Sequence, residues 1–294
     1  MTERPSLVRR WSGRAAGSLP GAARSMVNRL ILAWGMTTAR WRMSPSFLVI
    51  GAQRAGTTSL FTALSGHPDI VRPTVWKGIG YFDVNYSRGM RWYRGHFPLT
   101  FGRRDKLAFE SSGYYSFHPL ASDRIARDLP GVKVVMVVRN PVDRAHSAHR
   151  HEHARGFENL EFPEALKAEP DRLMGEVDRI IAEQPDYESH AHRHHAYLGR
   201  GLYAEQIERF VGVLGSDRVY VVDADRLFAD PAGELSALFA WLGAVPWTPA
   251  SFDQLNARPR SDLDSDVRAR LLDYFAESDR RLERLMGRLP SWRS

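Results

Sequence analysis

The sequence has no cysteine. Disulfides, zinc–cysteine sites and thiol nucleophiles are therefore excluded, and a reducing compartment fits, although the absence does not require one. Lysine is scarce, with Lys77, Lys106, Lys133 and Lys167 alone, so nearly all positive charge is arginine. Acid is missing from one region: residues 1–44 hold eight arginines against the single acid Glu3, whereas residues 45–294 balance 33 basic against 33 acidic groups. The net charge of +7 thus describes an arm, and gives no argument for a nucleic-acid-binding core. There is no internal repeat, and Arg29 leaves the arm's uncharged apolar run short for a signal or spanning segment. With 294 residues, 43% of them apolar, the chain suits one large globular domain better than two.

Residues 1–44 read as a basic arm and 45–294 as the domain. Within the arm, Met26, Leu30, Ile31, Trp34 and Trp41 recur at roughly helical spacing between arginines. Three readings of residues 22–42 stand open: a helix docked on the domain, an amphipathic helix on an anionic membrane surface, or a signal or spanning segment. Beyond it, strand and helix alternate. Continuous apolar runs at 47–50, 107–109, 132–138 and 219–222 predict strands covered on both faces, hence a parallel sheet. Helical patterns fall near 57–65, 119–129, 141–154, 202–214, 231–242 and 264–286, two of them opened by Asn140-Pro141 and Asp230-Pro231. The polar, His-rich stretch 173–200 has no clear pattern. The expected fold is an α/β three-layer sandwich with a central parallel sheet, similar to P-loop nucleotide-binding proteins.

Two segments carry chemistry. Gly51-Ala52-Gln53-Arg54-Ala55-Gly56-Thr57-Thr58-Ser59-Leu60 follows a buried run and opens a helix. Loop amides and the helix dipole there converge on an anion. The spacing is close to G-x-x-x-x-G-K-[ST], but Thr57 stands in the lysine position and the cation is Arg54, inside the loop. In the second segment the run Lys133–Val138 ends in Arg139, and Ser147 follows two turns into the next helix. An arginine at the carboxyl end of a parallel strand enters the crevice where such sheets bind ligands, and can fork onto a phosphate. An ATPase would place a metal-holding aspartate there instead. A structural Arg139 paired with Asp143 or Glu110 is the competing reading.

Together the segments resemble the 3′-phosphoadenylyl-sulfate (PAPS)-dependent sulfotransferase family, in its bacterial and heparan-type carbohydrate branch. Its loop pattern G-x-x-[KR]-x-G-T-[TS]-[SA]-L and its strand–helix pattern R-[ND]-P-x-x-R-x-x-S both occur here in order. His67-Pro68-Asp69, Tyr81-Phe82-Asp83, Gly201-Leu202-Tyr203 and Leu289-Pro290-Ser291-Trp292 also fit. The resemblance implies transfer of a sulfuryl group to a hydroxyl or amine of a glycan, lipid or small molecule, without metal and without nucleic acid beyond the nucleotide. It implies that Gln53, Arg54, Ala55, Gly56, Thr57, Thr58 and Ser59 bind the 5′ phosphosulfate, and Arg139 and Ser147 the 3′-phosphate. Arg258 and Arg260 fall where some members close a basic loop.

Two departures matter. Arg54 replaces a common lysine, so it should stabilise the leaving group rather than protonate it. Relatives with K-E-x-x-F-F carry a glutamate base after the lysine, whereas Lys77 is followed here by Gly78. Lys77 is expected to face the sulfuryl group or the acceptor. Glu110 is the first candidate base, followed by His149, Glu152 and His153. Eight of the eleven histidines cluster at 146–153 and 190–195, without a recognisable zinc-ligand spacing. A kinase or NTPase, and a non-catalytic cofactor-binding protein, are the alternatives. A cytoplasmic location, peripheral to the membrane's inner face if the arm binds it, completes the expectation.

Overall fold

The computed structural model describes residues 21–185, 187–252 and 263–294. Residues 1–20 of the arm, and Arg258 and Arg260, lie outside the described residues. A five-stranded, wholly parallel sheet runs in the order β2-β3-β1-β4-β5. The strands are β1 (Phe47–Gly51), β2 (Ile70–Val71), β3 (Leu107–Ser111), β4 (Lys133–Val138) and β5 (Val219–Asp223). Four of them are the apolar runs of the sequence; β2 has only two residues and no pattern to betray it. β1 is buried throughout, with Phe47 opposite Phe109 of β3 and Lys133 of β4. The chain leaves β1 toward β2 and β3 on one side and returns to β4 on the other. The carboxyl end of β1 is therefore the switch point at which open α/β sheets form their crevice.

Helices cover the sheet. The helix α1 (Gly21–Thr37) precedes β1, α2 (Thr57–Gly66) follows it, and α3 (Gly89–Arg94) and α4 (Ala121–Asp128) flank β3. After β4 come α5 (Pro141–Ala154), α6 (Phe162–Leu173), α7 (Glu176–Ala182), α8 (His190–His194) and α9 (Tyr203–Leu214). After β5 come α10 (Ala224–Ala229), α11 (Pro231–Leu242) and α12 (Ser265–Met286). The start signals act as expected: the Asn140 side chain accepts from Val142 N–H with Pro141 in the first turn, and Asp230 does the same for Gly233 ahead of α11. The stretch that resisted reading holds α7 and α8. One core surrounds the sheet, and a smaller one, built on Val142, Phe162, Tyr197 and Phe275, joins α5, α6 and α12.

The helical part of the arm packs on the domain. Gly35 of α1 meets α3 so closely that a Cβ there would lie 2.2 Å from the Gly95 carbonyl oxygen, a crossing open only to glycine. Arg42, buried, donates to the Phe97 carbonyl and pairs with Leu99 in an antiparallel bridge. No helix among the described residues is long and apolar enough to cross a membrane.

Candidate active site

The loop between β1 and α2 forms at the switch point. Ala52 N–H donates to the Val137 carbonyl of β4 at 2.7 Å, which seats the loop against that strand. Gly56 ends it at φ +99°, a left-handed conformation that a side chain would strain, and caps α2. Ala55 and Ser59 are buried, and their N–H groups are spent on the Ala52 and Gly56 carbonyls. Gln53, Arg54, Gly56, Thr57 and Thr58 keep open surface. Thr57 and Thr58 are the first helical residues, whose N–H groups no preceding turn can satisfy. The loop thus presents amides, hydroxyls and a guanidinium on one side, at the positive end of α2. Of the seven loop residues expected to touch ligand, Ala55 and Ser59 shape the loop from within.

The second segment arrives at the same place. Arg54 Nε donates to Ser147 Oγ at 3.1 Å, joining the loop to α5 across 93 positions of sequence. Because Ser147 is the acceptor in that bond, its own hydroxyl proton remains available to a ligand oxygen. Arg139, half-buried, makes no ion pair with a described residue. The competing structural reading fails on geometry: Asp143 pairs with Arg268 at 2.7 Å, and Glu110 accepts from Ser112. Tyr203, from the Gly201-Leu202-Tyr203 motif, donates to the Arg139 carbonyl at 2.9 Å and fixes that backbone.

Lys77 reaches the loop from outside it. Its Nζ donates to Thr58 Oγ1 at 2.9 Å and lies 5.5 Å from the centre of the Phe61 ring. Burial lowers its pKa to about 8, and no described carboxylate pairs with it. Gly78 leaves the next position open: a Cβ there would sit 3.4 Å from the Ser111 carbonyl oxygen, in ordinary contact.

The structure does not bring Glu110 to the crevice. It has no exposed surface and lies beside Tyr93, Tyr115 and Asp83, with Ser112 Oγ donating to Oε1 at 2.7 Å. Burial pushes its pKa up to about 7, against the pull of the Ser112 hydroxyl. Ser112 Oγ in turn accepts from Gly80 N–H, and Tyr115 OH from Tyr81 N–H, so the carboxyl anchors the loop that carries Lys77. An acceptor molecule cannot touch it. Two of the other candidate bases are engaged elsewhere. His149, buried, bonds the Leu160 carbonyl through Nε2 at 2.8 Å, and Glu152, buried, pairs with His194 at 3.0 Å and Arg155 at 3.4 Å. His153 lies beside His149 on α5, with ring centres 6.0 Å apart. No three His, Asp or Glu side chains among the described residues are grouped as metal ligands.

One contributor escaped the sequence reading. Arg200 is buried at 4% exposure, stacks against the rings of Tyr114 and Phe117, and donates to Gln53 Oε1 and to the carbonyls of His192 and Arg193. With its oxygen committed to Arg200, the Gln53 amide has only N–H to offer a ligand. Burial lowers the Arg200 pKa to about 10, which leaves it cationic behind the loop. An arginine immediately before the Gly201-Leu202-Tyr203 motif was the available signal.

The family model described as "Sulfotransferase domain" matches residues 44–259. Among curated proteins the chain is similar to the bifunctional heparan sulfate N-deacetylase/N-sulfotransferase 2 of Bos taurus, 27% identical over 286 residues. It is also similar to the corresponding enzyme 1 of Xenopus laevis, at 28% identity. These alignments cover 84% of this chain but only 30% and 31% of those proteins, so the chain spans less than a third of their length. Among solved structures, a sulfotransferase from Alicyclobacillus acidocaldarius superposes with a TM-score of 0.67 at 29% identity, covering 86% of this chain and all of that one.

Proposed function

The chain belongs to the sulfotransferase family, and from that membership we propose that it moves a sulfuryl group from PAPS to an acceptor hydroxyl or amine, releasing adenosine 3′,5′-bisphosphate. The observation that carries the reading is the 3.1 Å contact between Arg54 and Ser147. It brings the loop against the helix that carries Ser147, and Arg139, with no ion-pair partner among the described residues, stands just before that helix begins.

The residues fit the donor. The Gly56, Thr57 and Thr58 amides, the Arg54 guanidinium and the Lys77 ammonium would hold the phosphosulfate, while Arg139 and the Ser147 hydroxyl would take the 3′-phosphate. Sulfuryl transfer needs in-line alignment and stabilisation of charge growing on the leaving phosphate. Arg54 and the α2 amides offer that stabilisation from fixed positions. Arg54 acts by charge, since a guanidinium gives up no proton at working pH. With Glu110 sealed inside, Glu152 buried and position 78 a glycine, none of the carboxylate positions weighed among the described residues is ready to take the acceptor's proton. The site therefore suits an acceptor that is already nucleophilic, such as an amine or an acidic phenol. Similarity to enzymes named for N-sulfotransfer on heparan sulfate supports the amine and glycan classes. The absence of cysteine supports action in the cytoplasm.

Calorimetric titration tests the donor. Adenosine 3′,5′-bisphosphate should bind far more tightly than ADP, and equal affinities would refute the assignment. A kinase or NTPase would need a metal-holding acid that these strands do not offer: of the two flanking β1, β4 is followed by Arg139 and the β3 carboxylate is enclosed. Gly78 favours one second reading, a cofactor-binding protein without turnover. Mass spectrometry of cell extracts incubated with the protein and isotopically labelled donor decides between them, and any labelled product identifies the acceptor.

A further inference from the structure

The outer face of α1 is apolar and uncovered. Met26, Leu30 and Trp34 follow one another at i, i+4 and i+8, exposed by 61%, 64% and 54%. The opposite face is docked: Leu32 and Met36 pack on the core and Gly35 abuts Gly95. The helix is thus apolar on both sides, which a helix facing only water is not. Trp41, just beyond its end, is also exposed, with the Arg40 guanidinium 3.9 Å over its ring.

Charge tells what covers this face. Two clefts border α1, one of 490 Å³ containing Arg29 and Arg88, the other of 400 Å³ at its carboxyl end containing Arg40, Arg91 and Arg94. No carboxylate lines either cleft among the described residues. None of these five arginines forms an ion pair with a described residue, whereas Arg179, Arg281 and Arg288 elsewhere on the surface each have a glutamate partner. A second copy of the chain would set these same cations against each other. Residues 1–20 carry Arg4, Arg9, Arg10 and Arg14 and would be repelled likewise.

An apolar ridge bordered by cationic clefts matches a plane in which hydrocarbon lies just beneath negative charge. We propose that this face of α1 docks on an anionic lipid bilayer, with Met26 and Leu30 entering the acyl boundary, Trp34 and Trp41 at headgroup depth, and the five arginines on lipid phosphates. The surface carries this proposal independently of the sulfuryl-transfer reading. Trp76 lines the larger cleft and immediately precedes Lys77, so docking would bring the catalytic crevice close to the membrane.

The test is co-sedimentation of the full chain with phosphatidylcholine vesicles, with and without phosphatidylglycerol. Binding is expected only to the anionic vesicles, falling as salt rises, by roughly fivefold for each arginine contact screened. The Met26→Ser/Leu30→Ser variant should lower partitioning about tenfold, and the Arg29→Glu/Arg91→Glu variant should abolish it. Binding of adenosine 3′,5′-bisphosphate should be unchanged in both, which shows them folded and separates this outcome from failure of the donor assignment. No binding to anionic vesicles, or binding insensitive to both variants, would overturn the proposal. So would a dimer in gel filtration that Met26→Ser/Leu30→Ser dissolves while vesicle binding persists.

Discussion

Replacing Arg139 by alanine isolates the 3′-phosphate contact. The side chain stands at the carboxyl end of β4, half-buried and without an ion-pair partner among the described residues, and its neighbour Tyr203 holds only the backbone carbonyl. Truncation therefore removes no contact on which folding depends, and stability should stay within about 0.5 kcal/mol of the parent. A hydrogen bond from a charged group is worth about 1.5–3 kcal/mol, or roughly ten- to a hundred-and-fifty-fold in affinity. Water reaches the side chain, so the lower half of that range applies. Adenosine 3′,5′-bisphosphate should bind Arg139→Ala about ten- to fiftyfold more weakly.

ADP is the internal control, because it lacks the group that Arg139 would hold. Four titrations, two nucleotides against two proteins, give the coupling between side chain and phosphate directly. The expected pattern is a large loss for the bisphosphate, almost none for ADP, and partial recovery in Arg139→Lys, which keeps the charge but not the fork. Equal losses for both nucleotides would mean that Arg139 reads something common to them, and its assignment to the 3′-phosphate would fail. A melting temperature several degrees below the parent would show instead that the arginine is structural.

Three further outcomes follow from the same geometry. Lys77, with its pKa lowered to about 8 by burial, should lose its charge as pH rises through 8, so kcat/KM should fall there, and Lys77→Arg should flatten the alkaline limb. Glu110 has a folded pKa raised to about 7 from a model-peptide value of 4.5. The folded state therefore holds the proton that the unfolded chain releases between those values, and stability drops as pH climbs through that window. Glu110→Gln should remove that drop in thermal melts, and a difference curve flat from pH 4 to about 8 would refute the buried placement. Gly78→Glu restores the acid seen in relatives where a Cβ has room, and should raise turnover on hydroxyl acceptors roughly a hundredfold, a proton acceptor's usual contribution. An unchanged rate would show that proton removal does not limit the reaction.

How much of this was written in the sequence depends on the range of the interaction. The four longer strands were legible because they are continuous apolar runs, and α5 and α11 because Asn140 and Asp230 cap them locally. The stretch 173–200 was opaque, and α6 before it was not foreseen, because the stabilising contacts there are distant. Glu169 accepts three backbone N–H bonds, from Tyr197, Leu198 and Gly199, and Glu158 binds Arg172 and the Tyr197 hydroxyl. Neither pattern leaves a periodic trace. The loop and the Arg139/Ser147 segment each had a local signature, but the bond that joins them spans 93 positions and no local pattern contains it.

Glu110 shows the limit most sharply. The position of a residue along a strand is readable from the apolar run, and Glu110 does lie one place from the carboxyl end of β3. Its facing is not, because side chains alternate across a sheet and both faces of a parallel sheet are covered by helices. A carboxylate near a strand end therefore has two destinations, the crevice or the core, and single-residue chemistry favours the first. The aromatic side chains of Tyr93 and Tyr115 decided for the second, by supplying an enclosure in which the Ser112 hydroxyl donates to the carboxyl at 2.7 Å. Arg200 is the converse case: a charge that composition would place on the surface is held inside by two aromatic rings and two carbonyls, and from there sets the orientation of Gln53. In both residues the burial of charge is fixed by partners far along the chain, so a base proposed from strand position alone carries no more weight than its facing.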